Sequence, residues 1–194
     1  MKHLPNLLTY LRLMLIPVFV VLMLDPSRAM VIAAVVVFIV AALTDSLDGM
    51  IARRYGLTSE IGKLLDPVAD KLLVMSALVM LVAQRSDLDA RAWVPGWMVV
   101  LVLGREIWVT GLRAVAAAQG KIVAANAAGK VKSFLQMVAI VLLLLHDAPF
   151  PFLRKSVSCQ VVGLYLLLIS IVVSYWGAIE YSYLILGSQR RKSP

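Results

Sequence analysis

The chain has 194 residues, 61% hydrophobic and 15% charged, with 19 Lys and Arg against 11 Asp and Glu and a formal charge of +8. Soluble domains carry about 45–50% apolar and about 25% charged residues, so this excess, with a mean hydropathy of +0.90, excludes an ordinary water-facing surface, disorder and a coiled coil. The single cysteine, Cys159, excludes a disulfide framework and a cysteine-rich metal site, and the basic balance points to anionic lipid or phosphorylated small molecules rather than nucleic acid.

Six apolar stretches read in chain order as membrane-spanning helices, at about 5–24, 29–52, 64–83, 92–117, 131–146 and 158–186. None has the ten-residue alternation of a membrane barrel. The first opens Met1-Lys2-His3 like a signal peptide, but Leu24-Asp25-Pro26-Ser27-Arg28 reads as a turn into the next span rather than a cleavage site. The expected fold is therefore all-α and integral to a membrane. It is a six-transmembrane-helix bundle forming one domain over 1–194, with a polar active-site cavity at the cytoplasmic side. Six spans put both termini on one side, together with the loops at 53–63 and 113–132. That side holds Lys2, Arg53, Arg54, Lys63, Arg113, Lys121, Lys130, Lys132, Arg190, Arg191 and Lys192; the other holds Arg28, Arg85, Arg91, Arg154 and Lys155. The positive-inside rule makes the first side cytoplasmic.

Four of the eleven acids, Asp45, Asp48, Asp66 and Asp70, flank the junction of spans two and three. An aspartate within an apolar helix costs at least about 2.5–3.5 kcal/mol on insertion scales, which makes each a functional candidate. The run Ala29–Thr44 covers about 24 Å of helix at about 1.5 Å per residue, so Asp45 falls near the cytoplasmic end of its span. Asp66 and Asp70 fall in the first turns of the next. Asp45 and Asp48 are spaced i,i+3, and Asp66 and Asp70 i,i+4, so each pair shares a helix face. Gly49 and Ala52 border the first pair, and Gly62 and Ala69 the second, leaving room for close packing or a ligand. Four carboxylates in one low-dielectric pocket need a cation to stay ionised. All-oxygen ligands suit Mg²⁺, Mn²⁺ or Ca²⁺. The competing reading is a set of helix caps and ion pairs to Arg53, Arg54, Lys63 and Lys71.

The string Asp45-x2-Asp48-Gly49-x2-Ala52-Arg53-x8-Gly62-x3-Asp66-x3-Asp70 resembles, at every fixed position, the signature of the CDP-alcohol phosphatidyltransferases. Secondary motifs resemble the bacterial branch that uses sn-glycerol 3-phosphate. They are Pro5-Asn6-Leu7-Leu8-Thr9 with Arg12, Leu65-Asp66-Pro67-Val68-Ala69-Asp70-Lys71, Gly104-Arg105-Glu106-Ile107, Gly111-Leu112-Arg113, and Gly129-Lys130-Val131-Lys132 with Gln136.

The resemblance implies a six-helix homodimer with two Mg²⁺ (or Mn²⁺) ions open to the cytoplasm. Asp45, Asp48 and Asp66 would bind one ion, and Asp45, Asp66 and Asp70 the other. Asp70 would also be the catalytic base on the acceptor hydroxyl. Asn6, Thr9, Arg12, Gly49, Arg53, Ser59 and Gly62 would contact CDP-diacylglycerol, whose acyl chains explain a site within a membrane. The acceptor, sn-glycerol 3-phosphate, carries its own phosphate, for which Arg105, Arg113, Lys130 and Lys132 are candidates. Cardiolipin, phosphatidylinositol phosphate or phosphatidylserine synthesis are alternative reactions of the same family. A divalent-cation transporter is the alternative from a different class, disfavoured because the acids gather on two adjacent helices at one face.

Other polar residues have plainer readings. Arg105 and Glu106 could form an ion pair, and Arg113, Lys130 and Lys132 could be positive-inside anchors. His3 reads as solvated, His146 as loop polarity and Cys159 as packing. Trp93, Trp97, Trp108, Trp176, Tyr175, Tyr181 and Tyr183 read as interface belt or bundle packing. Arg190, Arg191 and Lys192 read as an anionic-lipid anchor.

Overall fold

The structure, a computed structural model, describes residues 4–25, 27–55, 60–85, 92–118, 127–148 and 157–190. Within these, it leaves the side chains of 4–8, 45–55, 60–64, 66–67, 127–130 and 184–190 undescribed. The described residues form six helices: α1 (Leu4–Leu22), α2 (Arg28–Tyr55), α3 (Glu60–Ala83), α4 (Gly96–Ala118), α5 (Ala127–Leu144) and α6 (Cys159–Arg190). All six expected helices are present. Four run beyond the apolar stretch that marked them, because hydropathy ends with the apolar residues while backbone hydrogen bonding continues through polar helix formers. α4 starts later than expected. Trp93 instead donates its backbone N–H to the Gln84 carbonyl (3.2 Å), and Pro95 has no N–H to offer a helix.

α1 packs on α2 and α3, α5 on α6, α4 on α6, and α5 also on α2 and α3. Phe19, Met23, Phe38, Leu73, Leu78, Leu81, Ile140, Leu143 and Leu167 fill the space between them. Phe19 and Phe38 meet as a tilted pair with centroids 6.1 Å apart. At the α5–α6 crossing a Cβ on Gly163 would stand 2.8 Å from Leu143 Cγ and 3.1 Å from the Ala139 carbonyl oxygen, so only glycine allows this approach. Ser27 caps α2, accepting from the Met30 N–H (3.4 Å).

The outer surface is apolar as well. Met14, Val36, Val100, Ile107, Val172, Trp176 and Tyr183 are all more than half exposed, a distribution that water does not favour over so wide an area. Among the described residues one helical segment, Cys159–Tyr183, is by itself long and apolar enough to cross a membrane, with a mean hydropathy of 2.1 over 25 residues. Trp97, Trp108 and Trp176 lie on the outside, as an interface belt would require, but Trp93 does not. It is 4% exposed and stacks on His146 with centroids 3.7 Å apart.

Candidate functional site

α2 carries Asp45 and Asp48, and α3 carries Asp66 and Asp70. Asp45 stands ten residues before Tyr55 and Asp70 ten after Glu60; Asp48 and Asp66 stand seven before and six after the same ends. Only residues 56–59 join the two helices. Four residues reach at most about 3.6 Å each, far short of the length of α2, so the start of α3 lies beside the end of α2. At about 1.5 Å of rise per residue the two pairs therefore stand at matched heights on helices that also pack together. Helix spacing, rather than loop conformation, sets this register.

The side chains of Asn6, Asp45, Asp48, Gly49, Arg53, Gly62, Asp66 and Lys130 lie outside the described residues, as does Ser59 entirely. Among the described residues no three His, Cys, Asp or Glu form a metal-binding group. The donor chemistry nevertheless fits a divalent ion: four carboxylates on two adjoining helices at common heights supply hard oxygen ligands only. On α1, which packs against both aspartate-bearing helices, Thr9 and Arg12 are buried, Arg12 completely. A buried guanidinium requires compensating negative charge nearby.

Asp70 is half-buried and lines a cavity of about 50 Å³ between α3, α4 and α5, shared with Lys71, Glu106, Lys132, Ser133 and Gln136. Glu106 organises its charge. One oxygen, Oε1, accepts from Arg105 Nη1 (3.0 Å) and from the Lys132 ammonium. Arg105 Nε also donates to the Ser174 carbonyl of α6 (3.1 Å). Lys71 Nζ donates to Thr110 Oγ1 (2.6 Å), whose hydroxyl donates to the Glu106 carbonyl (2.6 Å). Gln136 is 3% exposed, and its Nε2 has no hydrogen-bond partner among the described residues.

The structure thus distributes the expected acceptor-site cations. Lys132 shares the Asp70 cavity. Arg105 borders a separate groove between α4 and α6, and the Arg105–Glu106 ion pair is present. Arg113 is exposed, with its guanidinium 5.8 Å from the Tyr181 ring centroid. Lys71, Ser133 and Gln136 join Asp70 without having been singled out as site residues. The available signal was an amide at i+4 from Lys132 within an apolar helix, a costly group to bury without a partner.

A small cavity carrying Asp70, Lys71, Glu106 and Lys132 inside an otherwise apolar six-helix chain, with a second pair of aspartates on the adjoining α2, is the arrangement the sequence signature describes. The sequence profile of the CDP-alcohol phosphatidyltransferase family matches residues 2–176, and the chain belongs to that family. It is 44% identical to the CDP-diacylglycerol–glycerol-3-phosphate 3-phosphatidyltransferase of Bacillus subtilis, over 77% of this chain and 80% of the relative. It is 41% identical to the Rickettsia typhi protein of that name, over 75% and 78%. It is 36% identical to the one from Shigella flexneri, over 92% of each chain.

Proposed function

We propose that this chain transfers a phosphatidyl group from CDP-diacylglycerol to sn-glycerol 3-phosphate, releasing CMP and forming phosphatidylglycerophosphate. The observation that carries the reading is the complete aspartate signature at matched heights along α2 and α3, in a chain whose relatives bear that activity in their names. Asp45, Asp48, Asp66 and Asp70 would hold two divalent ions, Mg²⁺ or Mn²⁺, which when bound neutralise the diphosphate and ease departure of CMP. Asp70 takes the proton from the acceptor hydroxyl as its oxygen bonds to the phosphatidyl phosphorus and the bond to CMP breaks. Direct displacement needs no protein nucleophile. Asn6, Thr9, Arg12, Gly49, Arg53, Ser59 and Gly62 bind the donor. Lys132, at the Asp70 cavity, attracts the acceptor phosphate, with Arg105, Arg113 and Lys130 adding to the positive field.

The apolar exterior supports placing the helices in a membrane; we read the chain as one six-span domain over 1–194 in the bacterial inner membrane, a homodimer with the aspartates and both termini on the cytoplasmic side, as the positive-inside charge bias and the family resemblance imply. The test is CMP release by purified protein in micelles containing CDP-diacylglycerol, with a panel of acceptors. Release should require glycerol 3-phosphate, stop with EDTA and return with excess Mg²⁺. No release with any acceptor refutes the reading, and preference for inositol phosphate or serine refutes the acceptor.

A further inference from the structure

At the end of the bundle away from the aspartates lies a second cavity of about 490 Å³, whose largely apolar wall also carries Arg28, Arg85, Trp93, His146 and Asp147. Its walls are tied together by hydrogen bonds between distant parts of the chain. Gln84 Nε2 donates to the Met23 carbonyl (2.7 Å), and the Trp93 N–H donates to the Gln84 carbonyl (3.2 Å). Gln160 Nε2 donates to the Trp93 carbonyl (3.1 Å), and the Gln160 N–H donates to the His146 carbonyl (3.1 Å). An antiparallel bridge joins Arg85 to Ala92. These bonds hold the indole of Trp93 flat against His146, whose Nε2 is 2.9 Å from Asp147 Oδ2.

Two features of this cavity serve no evident structural purpose. Trp93 is 4% exposed, and its indole N–H has no acceptor among the described residues; such a buried donor is normally satisfied. Arg28 and Arg85 stand exposed at the rim, and Asp147, the carboxylate among the described lining residues, is engaged by His146. Arg28 also opens α2, so the positive end of a 28-residue helix adds to the field there. Below the rim the wall turns apolar and continues onto the exposed Ile32 and Val36 of α2. Cations above an apolar track suit a phosphodiester headgroup with acyl chains attached better than a free anion.

We propose that this cavity binds the phosphate of an anionic phospholipid headgroup in the leaflet opposite the aspartate site. The proposal rests on the membrane placement given above, but not on the reaction. Arg28 and Arg85 contact the phosphate, and the acyl chains follow Ile32 and Val36. The test compares melting temperatures in neutral detergent micelles doped with phosphatidylglycerol, doped with phosphatidylcholine, or with inorganic phosphate added instead. Phosphatidylglycerol should raise the wild-type melting temperature saturably by about 3 °C, and phosphatidylcholine should not. Both arginines are exposed, so R28Q/R85Q keeps the core and should melt cooperatively without that rise, while R28K/R85K retains at least half of it. An equal rise in R28Q/R85Q, or an equal rise with phosphatidylcholine, overturns the site. The full rise with inorganic phosphate alone overturns the lipid as its source. CMP release assayed on the same preparations reports on the catalytic reading independently of these outcomes.

Discussion

Asp70 and Glu106 face the same cavity but do different work. In the proposed reaction Asp70 takes the proton of the acceptor hydroxyl. Asp70→Asn should therefore lower CMP release by about 10³-fold or more while CDP-diacylglycerol still binds, as equilibrium binding in micelles would report. Asp45→Asn should lower release and also raise the Mg²⁺ concentration needed for half-maximal activity. Turnover at the wild-type rate in both variants would refute the two-ion scheme. Glu106 neutralises Arg105 and Lys132 together, with side chains only 13%, 14% and 9% exposed for Arg105, Glu106 and Lys132. Removing one member of a buried ion pair costs about 3–5 kcal/mol, because its partner remains charged without compensation. Glu106→Gln should accordingly lower the melting temperature strongly, and adding Lys132→Gln should recover part of the loss. Additive losses in that cycle would show that the pair is not coupled. Gln136→Leu separates two roles for a buried amide without a described partner. It should leave the melting temperature equal or higher while raising KM for glycerol 3-phosphate about tenfold, the effect of one lost hydrogen bond. A fall in melting temperature with KM unchanged would instead make Gln136 structural.

At the scale of elements, two contacts decide the geometry. The first is the α2–α3 corner, where the short connection brings equal lengths of helix back from one point, so that carboxylates far apart in sequence share a height. The second is the α5–α6 crossing at Gly163, where the two backbones come together. A methyl there meets a leucine side chain and a carbonyl, and only the side chain can yield. Gly163→Ala should cost about 1–3 kcal/mol, read as a lower melting temperature. Because α5 carries Lys132 and Gln136, the variant should also raise KM for the acceptor more than it lowers kcat. The helices themselves were legible in advance, since an apolar run is a local property of the chain. Their ends were less so: α2, α3, α5 and α6 extend past their apolar stretches, and α4 begins after Trp93 and Pro95 have been drawn into the cap at the far end.

Across the described residues the apolar side chains are divided between a packed interior and a broad exposed exterior, and two cavities carry clusters of charge. The number of helices, the lipid-suited surface and the aspartate signature follow from the sequence alone. Each depends on composition or on spacings within one or two helical turns, where every residue advances about 100° and about 1.5 Å. Which cation reaches Asp70 was not determined in that way. Arg105, Arg113, Lys130 and Lys132 were all candidates for the acceptor phosphate, Arg105 with an ion pair to Glu106 as its alternative and the other three with membrane anchoring as theirs. It took the rotation of α4 and α5 about their axes to send Lys132 into the cavity, Arg105 toward α6 and Arg113 onto Tyr181. The burial of Trp93 against His146 was likewise decided by the joining of chain ends more than 50 residues apart. Local periodicity carries no information about such contacts, because they depend on which helix becomes a neighbour and at what angle it turns.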